Sequence, residues 1–198
     1  MKKFFYKIEK SIVMGAMKFW YKIYYRPKVI GQENIPKDGP VIFCGNHRTL
    51  ADAPLIVITA NRDMKFLAKQ ELYNNKFLAH LGKVFDEIPV KRDEKDISAI
   101  KKALKTLKSG GCIGLFPEGT RNGIAKGEKI KDGVAFFAVM SGAKVVPCGI
   151  KGGEKGNRKM TITYGKPLDF SEYKGSKDKE VLEKITDEIM DNIILLTK

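Results

Sequence analysis

The chain has two histidines, and His47 is the one placed for chemistry. It lies in the stretch Gly45-Asn46-His47-Arg48-Thr49-Leu50-Ala51-Asp52, directly after an apolar, strand-like run and before a helix-like one. Loops at strand ends are where α/β proteins place reacting groups. Asp52 follows five positions later, a step that on one continuous helix would leave the two side chains roughly 140° apart. They can meet only if His47 lies in the turn and Asp52 at the helix start. Pro54 supports that boundary, because its missing N–H costs little in a first turn. A carboxylate so placed accepts a hydrogen bond from one ring nitrogen and fixes the tautomer, and the other nitrogen is left to take a proton. The spacing fits equally an Asp52 that only caps its helix beside a satisfied loop histidine. His80, at the end of a short helix, reads as a carbonyl-capping or half-buried residue.

Other strand ends carry groups that suit an anion. Residues 115–121 follow a strand, turn at Gly119 and present Glu118, Thr120 and Arg121 together. Backbone N–H groups, a hydroxyl and an arginine suit a phosphate or a developing oxyanion, although Glu118 and Arg121 in a simple turn would form local ion pairs. Lys91 and Arg92 end another strand, and Lys69 a third, so several cations can converge on one phosphate. The chain has no Gly-x-Ser-x-Gly elbow, no P-loop and no metal-type histidine pair. A covalent serine or cysteine mechanism therefore lacks its usual supports. Cys44, Cys112 and Cys148 each sit in an apolar run without ligand spacing, and read as small buried hydrophobes with neither disulfide nor zinc.

The elements that must position these groups alternate in type. Strands are expected at 29–31, 41–44, 65–68, 85–90, 112–116, 145–150 and 159–164, and helices at 53–59, 75–81, 94–108, 132–140 and 179–196. The class is α/β, a single layered domain with a mixed, largely parallel sheet flanked by helices and preceded by an N-terminal amphipathic helical segment. The glycine-rich loop 151–158 leads into a strand rather than a helix, so it reads as a hairpin turn and not a dinucleotide fingerprint. The divisions are 1–27, the amphipathic helix, and 28–198, the domain bearing the chemistry.

The 198 residues suffice for one core, and 43% hydrophobic content makes disorder unlike this chain. The net charge of +14 attracts anions of any kind, from nucleic acid to lipid and acidic carrier proteins. No apolar run reaches the ~20 residues of a membrane span, and the lysine-interrupted N-terminus is not a normal signal peptide. The helix expected over 3–25 places Phe5, Ile8, Ile12, Ala16, Phe19 and Ile23 on one side and Lys3, Lys7, Lys10, Lys18 and Lys22 on the other, with Tyr6, Tyr21, Tyr24 and Tyr25 near the boundary. That pattern describes an interfacial membrane helix, or an ordinary amphipathic helix packed on a core.

Taken together, these residues resemble the glycerolipid acyltransferase family. Its first block appears as Asn46-His47 with Asp52, and its second as Val90-Lys91-Arg92-Asp93. The third is complete at 116–121, and the fourth is the proline-bearing strand Val146-Pro147-Cys148-Gly149-Ile150. The blocks stand in family order over roughly residues 28–170. Thr49 stands where many members have serine, and Cys148 where many have an aliphatic residue, departures that bear on substrate choice. The resemblance implies that His47 deprotonates an acceptor hydroxyl as it attacks an acyl thioester, with Asp52 steadying the imidazole. It gives Lys69, Lys91, Arg92 and Arg121 to the acceptor phosphate, with Thr120 beside them, and Glu118 and Gly119 to the shape of that site. The implied acceptor is the 2-hydroxyl of lysophosphatidic acid and the product phosphatidic acid. The donor is acyl coenzyme A or acyl carrier protein, with no metal and no further cofactor, at the cytoplasmic face of the cell membrane as a monotopic protein. Glycerol 3-phosphate, another lysophospholipid or a lyso-ornithine lipid remain alternative acceptors. A membrane- or nucleic-acid-binding module without catalysis would explain the charge but not the spaced His47, Asp52, Glu118 and Arg121. No nucleic-acid partner is expected.

Overall fold

The runs that lack polar alternation become the centre of a sheet covered on both faces, the environment that favours continuous apolar strands. A computed structural model describes residues 2–91, 96–123, 130 and 132–198. Among them the strands are β1 (Lys28–Ile30), β2 (Val41–Gly45), β3 (Met64–Lys69), β4 (Ile88–Val90), β5 (Cys112–Leu115), β6 (Lys144–Lys151) and β7 (Thr161–Tyr164). They form one sheet in the order β1-β7-β6-β2-β5-β3-β4. Every residue of β2 and β5 is buried. All neighbours run parallel except β6 and β7, which pair antiparallel. The mixed, largely parallel sheet read from the sequence is present, and so is its hairpin.

The helices are α1 (Lys2–Tyr24), α2 (Asp52–Thr59), α3 (Lys76–Val84), α4 (Ile97–Lys108), α5 (Gly133–Ser141) and α6 (Lys179–Leu196). Strand residues alternate between two cores. Ile42, Cys44 and Ile113 pack with α4, α5 and α6. Phe43, Phe66 and Val146 pack on the other face with α2 and with Tyr21 of α1.

Two elements start three residues later than expected. The strand expected over 85–90 starts only at Ile88. The Phe85 and Glu87 amides are taken by the Leu81 and Gly82 carbonyls at the end of α3, and Asp86 between them adopts φ 53°. Helix α4 starts at Ile97 with Asp96 accepting from the Ala99 N–H, while residues 94 and 95 lie outside the described residues. The hairpin turns tightly at Gly152, where φ is 76° and a Cβ would sit 1.7 Å from the Lys159 carbonyl oxygen.

Helix α1 packs through a face the periodicity did not single out. Met14, Met17, Tyr21 and Tyr25 meet the core. Phe5, Ile12 and Phe19 are left 66, 67 and 68% exposed. Tyr21 is not a boundary residue: it is buried, and its Oη donates to the Ala51 carbonyl at 2.9 Å. Burial, and then Tyr25 and Asp52 nearby, push its phenol well above the ordinary value.

Tyr21→Phe removes that bond and strands the Ala51 carbonyl. The expected loss is about 1 kcal/mol, read as a fall in Tm of about 2–4 °C for a domain of this size. An unchanged Tm would show that the bond contributes nothing.

Candidate active site

The site forms where β2 and β5 end. Beyond Gly45 the chain leaves the sheet, and Asn46 fixes its direction. Asn46 Nδ2 donates to the Ile150 carbonyl at 2.9 Å, and the Ile150 N–H donates to Asn46 Oδ1 at 2.7 Å. The turn that follows is organised by one carboxylate. Asp52, at the first position of α2 and fully buried, accepts at Oδ2 from the Arg48 and Thr49 N–H groups, each at 2.6 Å. Its Oδ1 accepts from Thr49 Oγ1 at 3.0 Å. His47 Nδ1 lies 3.1 Å from Asp52 Oδ2. Donation from Nδ1–H to that carboxylate makes Nε2 the lone-pair nitrogen.

Three further contacts hold His47, one on its ring and two on its backbone. It stacks on Phe116, with centroids 4.1 Å apart and planes 5° from parallel. Buried Glu118 accepts the His47 N–H at Oε1, 2.8 Å away, and the Asn122 N–H donates to the His47 carbonyl at 2.7 Å. The His47 side chain stays 16% exposed, so one edge remains open.

That edge stands between two cavities. One, of about 240 Å³, runs from His47 and Phe116 past Phe66, Leu81 and Phe85 beneath α1 and α3. The other, of about 490 Å³, is polar, and His47 shares it with Arg48, Lys69, Thr120 and Arg121. Leu50, 62% exposed, stands at the lip of both.

The structure therefore brings His47, Asp52, Lys69, Thr120 and Arg121 together. Lys91 and Gly119 line an adjoining groove, which shares Leu67, Ala68, Lys69 and Phe116 with the apolar cavity. Arg92 lies outside the described residues. Glu118 braces the His47 backbone instead of lining either cavity. His80 is remote: its ring pairs with Glu9 and ties α3 to α1. Two residues were not singled out from the sequence. Asn46 acts through a backbone 104 residues away, and Arg48 Nη2 is held 2.8 Å from Glu154 Oε1 on the β6–β7 hairpin. Asn46 was marked only as part of the first block, and Arg48 only by its adjacency to His47. The three cysteines are buried, and burial pushes the Cys44 and Cys148 thiols up, away from nucleophilic use. Among the described residues no three His, Cys, Asp or Glu side chains converge on a metal position.

A carboxylate-held histidine at the strand ends of a largely parallel α/β layer is the arrangement of an enzyme site whose imidazole can take up a proton. Residues 26–151 match the family model described as Acyltransferase, and the chain belongs to that family. It is an acyltransferase. It is 30% identical over 172 residues to a 1-acyl-sn-glycerol-3-phosphate acyltransferase of Bacillus subtilis (strain 168), covering 84% of this chain and 85% of that protein. It is 34% identical over 124 residues to a Borreliella burgdorferi protein of the same name, covering 60% of this chain and 48% of that one. The solved structure of the 1-acyl-sn-glycerophosphate (LPA) acyltransferase PlsC from Thermotoga maritima superposes with a TM-score of 0.69 at 27% identity, over 96% of this chain and 79% of that one.

Glu118→Gln keeps an acceptor for the His47 N–H, whereas Glu118→Leu leaves a half-buried donor bare. The leucine variant is expected to lose about 1–3 kcal/mol of stability and to lose kcat with it, and the glutamine variant to retain most of both. Equal behaviour of the two in thermal melts would remove the bracing role.

Proposed function

We propose that the protein transfers a fatty acyl group from an acyl thioester to the 2-hydroxyl of lysophosphatidic acid, giving phosphatidic acid, at a membrane surface. The observation that carries this reading is the position of His47: its ring is fixed at Nδ1 by Asp52, and its open edge stands where an apolar cavity meets a cationic one. A substrate pair consisting of an alkyl chain and a phosphate fits such a junction.

The thioester's alkyl chain occupies the apolar cavity, with its carbonyl beside His47. The acceptor's phosphate is held by Lys69, Arg121 and the Thr120 hydroxyl, with Arg48 adjacent. Nε2 takes the hydroxyl proton as the oxygen attacks the thioester carbonyl. The C–O bond forms, the C–S bond breaks, and the imidazolium returns its proton to the departing thiolate. Asp52 holds the tautomer that makes Nε2 the base, and offsets the charge that appears on the ring. Help of this kind contributes about 10²–10⁴ in rate. The thiol belongs to coenzyme A or an acyl carrier protein, and the +14 charge favours either anionic carrier.

The exposed apolar face of α1 seats the protein on lipid. Phe5, Ile8, Ile12, Phe19 and Ile23 point away from the core, and Lys7, Lys18 and Lys22 are exposed on the flank and far side of the same helix. No helix among the described residues is long and apolar enough to cross a membrane. The apolar stripe burying into the interface and lysines near anionic headgroups give monotopic binding, each lysine contributing about 1 kcal/mol. The cytoplasmic face is where acyl carrier protein or coenzyme A thioesters are met.

Two measurements test this. His47→Ala is expected to lose at least about 10²-fold in kcat while liposome flotation is unchanged, assayed with lysophosphatidic acid, glycerol 3-phosphate and other lysophospholipids as separate acceptors. Transfer at near the wild-type rate removes the mechanism, and preference for another acceptor removes the substrate assignment. Ile12→Ser with Phe19→Ser leaves the buried Tyr21 face intact, and is expected to cut flotation with anionic liposomes at least tenfold. Unchanged flotation would end the role given to α1.

A further inference from the structure

Helix α4 carries a row of charge that folding does not explain. Lys101, Lys102, Lys105 and Lys108 are exposed, and Ala99, Ala103 and Leu107 are buried on the opposite side. At about 100° per residue, the lysines share one face with Ile97, which is 61% exposed. Among the described residues none of these lysines pairs with an acidic side chain, and α4 itself holds no acidic residue. Lys105 and Lys108 lie in the last turn, where a cation suits the helix dipole. Lys101 and Lys102 have no such role. They stand four and three residues before Lys105, spacings at which like charges destabilise a helix.

The row starts at the active-site edge. Strands β3, β4 and β5 run parallel, so α4, which joins the end of β4 to the start of β5, begins beside the strand ends that hold the site and runs away from them. Its first turn, at Ala99 and Ile100, lines with Lys91 and Lys69 a groove of about 300 Å³ that reaches Phe116. Phe116 is the ring on which His47 stacks. Acyl transfer needs three approaches to His47, for the alkyl chain, for the acceptor and for the carrier of the departing thiol. The apolar and cationic cavities serve the first two, and this groove is a third. Helix α4 packs into the core formed with α5 and α6, whereas α1 packs into the core on the other face of the sheet. The lysine row is thus set on the face opposite the helix that meets lipid.

We propose that the lysine face of α4 is the docking surface of an acidic acyl carrier protein, whose thiol-ended arm enters the groove past Lys91 and Ile100 and sets its thioester beside His47. This rests on the acyl-transfer reading of the site and chooses between its two donors. Lys101 and Lys108 are two turns apart, about 10 Å along the axis. Coenzyme A would place its phosphates on cations at the mouth of the groove, and gains nothing from lysines that lead away from it. An acidic protein surface spans the row. Exposed charge pairs of this kind are individually weak and screened by salt, and they act by steering the encounter and fixing its register.

The test compares palmitoyl-acyl carrier protein with palmitoyl-coenzyme A as donors to lysophosphatidic acid. The variant combines Lys101→Glu, Lys102→Glu and Lys105→Glu. A control with the same change of net charge combines Lys166→Glu, Lys174→Glu and Lys177→Glu, at exposed positions outside α4. The α4 variant is expected to lose about tenfold or more in kcat/KM with the carrier thioester, chiefly through KM, and to stay within about twofold with the coenzyme A thioester. Its liposome flotation is expected to be unchanged, and the control to keep most of its kcat/KM with the carrier thioester. An equal loss with both donors, an equal loss in the control, an unchanged kcat/KM with the carrier, or a wild type that takes no carrier thioester overturns the proposal. Loss of flotation in the α4 variant would give the row to lipid and overturns it too. If the glutamate variant does not fold, Lys101→Gln with Lys102→Gln and Lys105→Gln decides by the same comparison, because glutamine keeps the helix propensity of lysine. A wild type that binds palmitoyl-acyl carrier protein in titration calorimetry, with that affinity lost in the α4 variant, yet acylates no acceptor would sink the function proposed above and leave the docking surface standing.

Discussion

A buried carboxylate is costly unless every oxygen finds a donor, and Asp52 solves that problem with the residues it serves. Its two oxygens take the Arg48 and Thr49 N–H groups, the Thr49 hydroxyl and the His47 ring. The turn cannot relax without stranding a charge, so its conformation is enforced by the same group that orients the imidazole. Other elements then hold the turn from outside. Asn46 ties its entrance to β6, Glu118 takes its first amide from the β5 loop, and Asn122 closes on its carbonyl. Local structure and reactive geometry are here one set of hydrogen bonds.

This explains which parts of the site were legible. His47 and Asp52 are five residues apart, and Pro54 marks a helix start, so their meeting follows from local backbone rules alone. Lys69, Thr120 and Arg121 were legible as cations and a hydroxyl at strand ends, because a parallel sheet gathers such ends on one edge. The Arg48–Glu154 pair was not, since it spans 106 residues and depends on β6 lying beside β2. Glu118 was assigned a place in the acceptor site by its motif. The fold turns it inward, because a half-buried His47 amide needs an acceptor and Glu118 is within reach. Lys91 carries the right charge on a strand end, yet β4 is the edge strand beyond β3, which sets it in a neighbouring groove.

The order of the strands was hidden for the same reason. Alternating elements announce a parallel sheet, but not that β7 inserts between β1 and β6. That arrangement follows from the hairpin, whose left-handed Gly152 lets β7 fold back antiparallel and offer β1 a parallel edge.

Helix α1 shows the limit of periodicity most clearly. It has two apolar stripes on opposite sides, and both recur at helical spacing, so a hydrophobic pattern cannot say which one faces protein. Packing chooses the stripe with a buried hydrogen bond to make. Tyr21 reaches the Ala51 carbonyl at the threshold of α2, and Met14 and Met17 fill beside it. The stripe that bears Phe5, Ile12 and Phe19 remains outside. Met17 also lines the apolar cavity that begins at His47. One helix thus contributes to the wall of the apolar cavity on its inner side and presents an apolar stripe on its outer side. Where that cavity takes an alkyl chain, each methylene it covers avoids the cost of about 0.8 kcal/mol of exposure to water.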